Sequence, residues 1–148
     1  MNDVLVTVDT ELSLALHQRG VNPRANLANS IFGLVGDTEY GIRWQMDQLE
    51  ACGITGVYFV DPMPALVFGE EIIAAIVAPI VARGHEVQLH LHPEWLQWAE
   101  ISPVGDRCGS NIGDFDLEDQ YRLLGWGLDT LERAGAPRPI AFRAGNYG

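Results

Sequence analysis

Two short stretches of the chain end apolar runs in side chains that bind metals. Val4-Leu5-Val6-Thr7-Val8-Asp9-Thr10-Glu11 finishes in two carboxylates two residues apart, and Glu86-Val87-Gln88-Leu89-His90-Leu91-His92-Pro93-Glu94 finishes in two imidazoles and a carboxylate. Residues two apart on a strand share a face, so Asp9 and Glu11 point one way on the first segment and His90 and His92 one way on the second. Two histidines on one face of a strand rarely serve packing, whereas neutral imidazole and carboxylate are ligands of zinc and related divalent ions. A catalytic ion of this kind takes three protein ligands and keeps a position open for water. Glu11, His90 and His92 supply such a set, with Glu94 an alternative to His92 if the turn at Pro93 brings it inward. Asp9 is then free to take the proton of a metal-activated water, and Arg143 to hold Asp9 ionised through a charge-assisted hydrogen bond. The chemistry predicted is metal-assisted hydrolysis. The plainer role for Asp9 and Glu11 is to cap the next helix or solvate a loop.

For hydrolysis the two segments must bring their ends together, and the elements between them suit that. Val57-Tyr58-Phe59-Val60 reads as a second buried strand, the His-bearing segment as a third, and Pro139-Ile140-Ala141-Phe142-Arg143 as a fourth. Between them, Ile42, Met46 and Leu49 fall at helical spacing from Thr38 to Cys52, with Asp37 or Thr38 as cap and Gly53 as stop. Ile72, Ile73, Ile76, Val77 and Ile80 predict a helix ending at Gly84, kinked or shortened by Pro79. Asp116 caps a last helix with an apolar stripe of Leu117, Tyr121, Leu124, Leu128 and Leu131, ended by Gly135. Residues 12–37 and 93–115 read as long irregular loops, apart from a short helix at Leu12 to His17. Strands alternating with helices imply an α/β fold with a parallel sheet and right-handed crossovers, in which ligands collect outside the carboxyl ends of the strands. Four strands do not close a barrel, which takes about eight, so the single domain over residues 1–148 is expected to be either an open parallel sheet or the front part of something larger, a partial (β/α) barrel, the stop soon after Arg143 favouring the second.

Composition narrows the partners. Twenty acidic residues against nine basic ones, all arginine, give a formal charge of −11, which argues against a nucleic-acid partner. No segment is apolar for long enough to span a bilayer, and no secretory signal precedes the first strand, so a cytoplasmic protein with no membrane partner is expected. Cys52 and Cys108 are too few and too far apart for a disulfide framework or a zinc knot. Trp95, Trp98, Tyr40 and Tyr147 lie in or beside the expected rim loops, and of these Trp95 and Tyr147 are candidate platforms for a sugar ring, although core packing accounts for a tryptophan equally well. His17 reads as a surface residue and His85 as a surface residue or one that supports a ligand. Self-association is left open.

With these residues in hand, the chain resembles the polysaccharide deacetylase family, the NodB-homology domain of carbohydrate esterase family four. That family opens with a strand ending Thr-Phe-Asp-Asp-Gly, and Thr7-Val8-Asp9-Thr10-Glu11 resembles a variant with the second acid displaced by one. Its Gly-His-Glu followed by His-x-x-x-His is similar to Gly84-His85-Glu86 and His90, with Glu94 where the second histidine is usual and an extra histidine at position 92. Its Phe-Arg-x-Pro-Tyr is similar to Phe142-Arg143-Ala144-Gly145-Asn146-Tyr147, and Val57-Tyr58-Phe59-Val60 resembles its second strand. The resemblance covers essentially the whole chain. It implies that Asp9 is the catalytic base, that Arg143 orients it, and that Glu11 and His90 ligate a divalent metal, zinc, with His92 or Glu94 third. The implied reaction removes an N-acetyl group from a sugar or polysaccharide precursor. Family members carry two further motifs, including a late Leu-x-His that supplies the general acid, so the resemblance implies an amino-terminal, truncated portion of such a barrel.

Two other readings stand beside this one. Amidohydrolase or PHP-type metal hydrolases also place His-x-His at a strand end, but on the first strand. A non-catalytic fragment that binds carbohydrate through its aromatic loops, or that assembles with another chain, is the alternative from outside enzymology.

Overall fold

In the computed structural model, which describes residues 4–147, four of the apolar segments form one parallel sheet. The chain runs β1 (Val6–Thr10), α1 (Leu14–Gln18), α2 (Pro23–Ser30), β2 (Leu34–Val35), β3 (Thr38–Glu39), α3 (Ile42–Ala51), β4 (Gly56–Val60), α4 (Ala65–Phe68), α5 (Glu71–Ala82), β5 (Glu86–Leu91), α6 (Leu117–Arg133) and β6 (Phe142–Ala144). The sheet order is β1-β4-β5-β6, and the sheet curls into a half-barrel. Every residue of the central β4 is buried, whereas β1 alternates because it lies at an edge. Val4, Leu5 and Ile140, beside the two edge strands, are largely exposed.

Register separates the two faces. Phe59 pairs with Asp9 on one side and Gln88 on the other, and His90 pairs with Arg143, so these side chains share one face. The opposite face, with Tyr58, Val60, Leu89 and Leu91 all but inaccessible, forms the core with Ile73, Ile76 and Ile80 of α5 and Leu123 and Leu131 of α6. Helix α6 approaches closely because position 127 is glycine: a Cβ there would lie 3.0 Å from Leu89 and 3.1 Å from Leu91. Helix α5 continues through Pro79 to Ala82, and the carboxylate of Asp116 caps α6 on the Asp119 N–H.

The first long loop is more ordered than its sequence suggests. Residues 12–37 contain α1, α2 and a strand of the β2–β3 hairpin. Helix α2 has no apolar stripe to betray it; its anchor is the buried Asn26, whose amide donates to the Ser13 carbonyl (2.8 Å) and accepts from the Ser13 N–H (3.0 Å). Thr38 pairs in the hairpin instead of capping a helix, and α3 starts behind Gly41. Residues 93–98 and 112–114 form short 3₁₀ turns in the second loop. The last strand is shorter than expected because the Gln88 side chain takes the place of a backbone partner, accepting from the N–H groups of Ile140 and Ala141 at 2.9 Å each. Among the described residues, no helix is long and apolar enough to cross a membrane.

Candidate metal centre

Three ligand atoms meet at the carboxyl rim of the sheet. Glu11 follows β1, His90 is near the end of β5, and His92 lies just beyond it. His90 Nε2 is 3.2 Å from Glu11 Oε2 and 3.1 Å from His92 Nε2, and His92 Nε2 also contacts Glu11 Oε2. The three groups each offer one atom within 4.8 Å of the others and could hold a metal ion. A tetrahedral ion with ligands at about 2.0–2.2 Å spaces them about 3.3–3.6 Å apart, close to the separations of His90 Nε2 from the other two atoms, while His92 and Glu11 sit closer together than an ion between them would hold them.

The far nitrogen of each ring fixes which nitrogen faces inward. His90 Nδ1 donates to the Arg143 carbonyl (2.8 Å) and His92 Nδ1 to Glu94 (2.9 Å), which turns both Nε2 atoms toward Glu11, as the nitrogens that would ligate an ion and that carry the second proton when the imidazoles are charged. Glu94 is therefore not the third ligand of the trio: it backs His92, and its other oxygen accepts from the Asn146 amide at 2.9 Å. Asp9 lies beside the trio on the same rim. Arg143 donates to Asp9 and, at 2.9 Å, to the Thr7 hydroxyl, and its guanidinium sits 4.1 Å over the Phe59 ring.

Asp61, directly after β4, escaped sequence reasoning. It is fully buried, and its Oδ1 accepts from the N–H groups of Met63 (3.0 Å) and His92 (3.4 Å). Its signal was visible in the pattern, since Asp61-Pro62 ends an apolar strand much as Asp9 nearly ends β1. Asn146 was also passed over; it and Tyr147 adopt left-handed backbone at φ 52° and 67°, a conformation that non-glycine residues reach at a cost and that clusters at functional rims.

Charge at the centre is tightly coupled. Burial works against ionisation of Glu11, but hydrogen bonds and positive charge from His90 and His92 outweigh it and hold the carboxyl down at about 2. Burial likewise favours neutral His92, yet the hydrogen bond to Glu11 and the charges of Asp61 and Glu11 lift it to about 9. His90 is raised in the same way, against burial, by Glu11 and the Arg143 carbonyl. Burial drives Asp61 up to about 7, against the nearby His92 charge.

These shifts set how a metal-free chain responds to pH. His92, raised above its ordinary 6.5, stabilises the fold fully below that value and loses the contribution as pH climbs through about 9. Asp61, raised above 3.8, adds a growing penalty up to about 7, while Glu11, lowered from 4.5, loses its contribution only toward about 2. Melting of the chelator-treated protein, followed between pH 5.5 and 9.5, is expected to fall by roughly 5–10 °C. A midpoint that stays level or rises would contradict this charge arrangement.

Two open cavities flank the trio, of about 470 Å³ and 690 Å³, and Asp9, Glu11, His92 and Asn146 line both. Tyr147, wholly exposed, stands at the larger one with Arg143 and Phe142. Trp95 is 1% exposed, so it is a wall of the smaller cavity and a core residue, not an open platform. It packs against Phe68, Trp98 and His17, which places a half-buried His17 against an aromatic cluster at the edge of the core. His85 is buried at the opposite end of the sheet, where Nδ1 accepts from the Gly56 N–H at 2.9 Å, so it supports no ligand of the trio. The chain matches no protein-family model, no curated protein and no solved structure.

Proposed function

We propose that this protein is a metal-dependent hydrolase that removes an N-acetyl group from a sugar or polysaccharide precursor, built on a half-barrel of the polysaccharide deacetylase type. The observation that carries this reading is the convergence of Glu11 and the inward nitrogens of His90 and His92, with Asp9 beside them and a cavity on either side. The donor set of two imidazoles and one carboxylate suits zinc. When bound, such an ion supplies Lewis acidity and lowers the pKa of water. The chain's own residues supply the rest. Asp9, held by Arg143, accepts the proton at its carboxylate; Arg143 keeps that carboxylate anionic and in place; Glu94 and the Arg143 carbonyl keep both histidines in the tautomer that ligates. Tyr147 offers its ring to a sugar at the mouth of the larger cavity.

A binding-only role is the second reading, and one observation favours it. The departing amine needs a proton, and neither remaining histidine is placed to give one, since His17 lies edge-on among aromatic rings and His85 lies at the other end of the sheet, so Asp9 alone would have to return the proton it took. Acetate release from N-acetylglucosamine oligomers separates the two. The hydrolase reading expects zinc-loaded protein to release acetate, chelation to stop it and added zinc to restore it. Oligomers that bind equally well after chelation, with no acetate formed, would replace it with the binding module.

A further inference from the structure

Three neighbouring strands meet at Asp61. Its N–H donates to the Thr10 carbonyl (3.0 Å), immediately before Glu11, while its Oδ1 accepts from the His92 N–H (3.4 Å), one residue beyond β5. Position 61 therefore ties the main chain that carries one candidate ligand to the main chain that carries another, across the end of β4. The His92 N–H lies past the β4–β5 pairing, whose last pair is Val60 with Leu89, so the neighbouring backbone no longer offers it a ladder carbonyl. Asp61 Oδ2 is buried with no hydrogen-bond partner among the described residues. A carboxyl enclosed in this way is costly for folding alone, and a well-packed apolar side chain of similar size often serves a core better.

We infer that Asp61 is a positioning residue whose side-chain acceptor fixes the His92 backbone relative to Glu11, so that the metal affinity of the trio depends on an acceptor at position 61. This rests on the reading of the trio as a metal centre. Supports of this kind around a ligand histidine typically change metal affinity about 10- to 100-fold when lost. The test uses zinc as the probe, its dissociation constant measured by competition with a chromophoric chelator at one fixed pH. Asp61→Leu removes the acceptor and is expected to weaken zinc about 10- to 100-fold, whereas Asp61→Asn keeps an acceptor and is expected to stay within about threefold of the parent. Melting of each metal-free variant gives the separate structural readout, and rescue by asparagine is what a purely structural role would not produce.

Equal zinc affinity in the parent and a folded leucine variant would overturn the role of Asp61 while leaving the metal centre intact. A parent that binds no zinc would overturn both. If the leucine variant does not fold, amide exchange in the unsubstituted protein decides: the His92 N–H is expected to exchange at least about tenfold more slowly than an unstructured amide, and an unprotected His92 amide overturns the inference.

Discussion

Zinc affinity is expected to fall about 10²- to 10³-fold in Glu11→Ala and in His90→Ala, because about 10–16 kcal/mol shared among four positions leaves about 2.5–4 kcal/mol for each ligand. The two variants should differ in what else they disturb. Glu11 has a partly exposed side chain, so its loss frees His90 and His92 without opening the core. His90 is nearly inaccessible and also donates to the Arg143 carbonyl, so its loss leaves that carbonyl unpaired and loosens the strand end that positions Arg143. Metal content after dialysis, together with competition titration, reads both effects. A stoichiometric ion retained by either variant would mean that these residues are not the ligands.

Asp9→Asn is expected to leave zinc stoichiometry at the parent level and to reduce acetate release by about 10²- to 10⁴-fold, the usual weight of a positioned proton acceptor. The substitution is nearly isosteric and keeps an oxygen for Arg143, so orientation survives while basicity is lost. That split between intact metal and lost turnover is specific to a base. Acetate release that persists in Asp9→Asn would remove Asp9 from this role, and loss of zinc in the same variant would make it a ligand instead.

The parts of this arrangement that depend on local periodicity were legible in the residues. The alternation along β5 placed His90 and His92 together, Gly53, Gly84 and Gly135 marked the ends of helices, and Asp116 marked a beginning. The parts that depend on contacts between distant segments were not. Asp61 closes an apolar strand much as Asp9 nearly does, but the partners that give it a role follow from the register that sets β4 between β1 and β5. Trp95 and His17 become neighbours because α1 and the 3₁₀ turn after β5 pack together, which no spacing within either segment announces. Helix α2 was missed because it is anchored by one buried amide and not by an apolar face, although Asn22 before Pro23 is a proper start signal. Glu94 illustrates the limit of motif matching: it stands where a ligand was expected, and geometry turns it to the back of its neighbour's ring.

The trio is assembled by Glu11 after β1 and by His90 and His92 at the end of β5, across β4, and the Arg143 carbonyl of β6 orients His90. Glu11 and His92, which would hold the ion, also line both cavities, so a substitution at either changes the room for a guest together with the coordination.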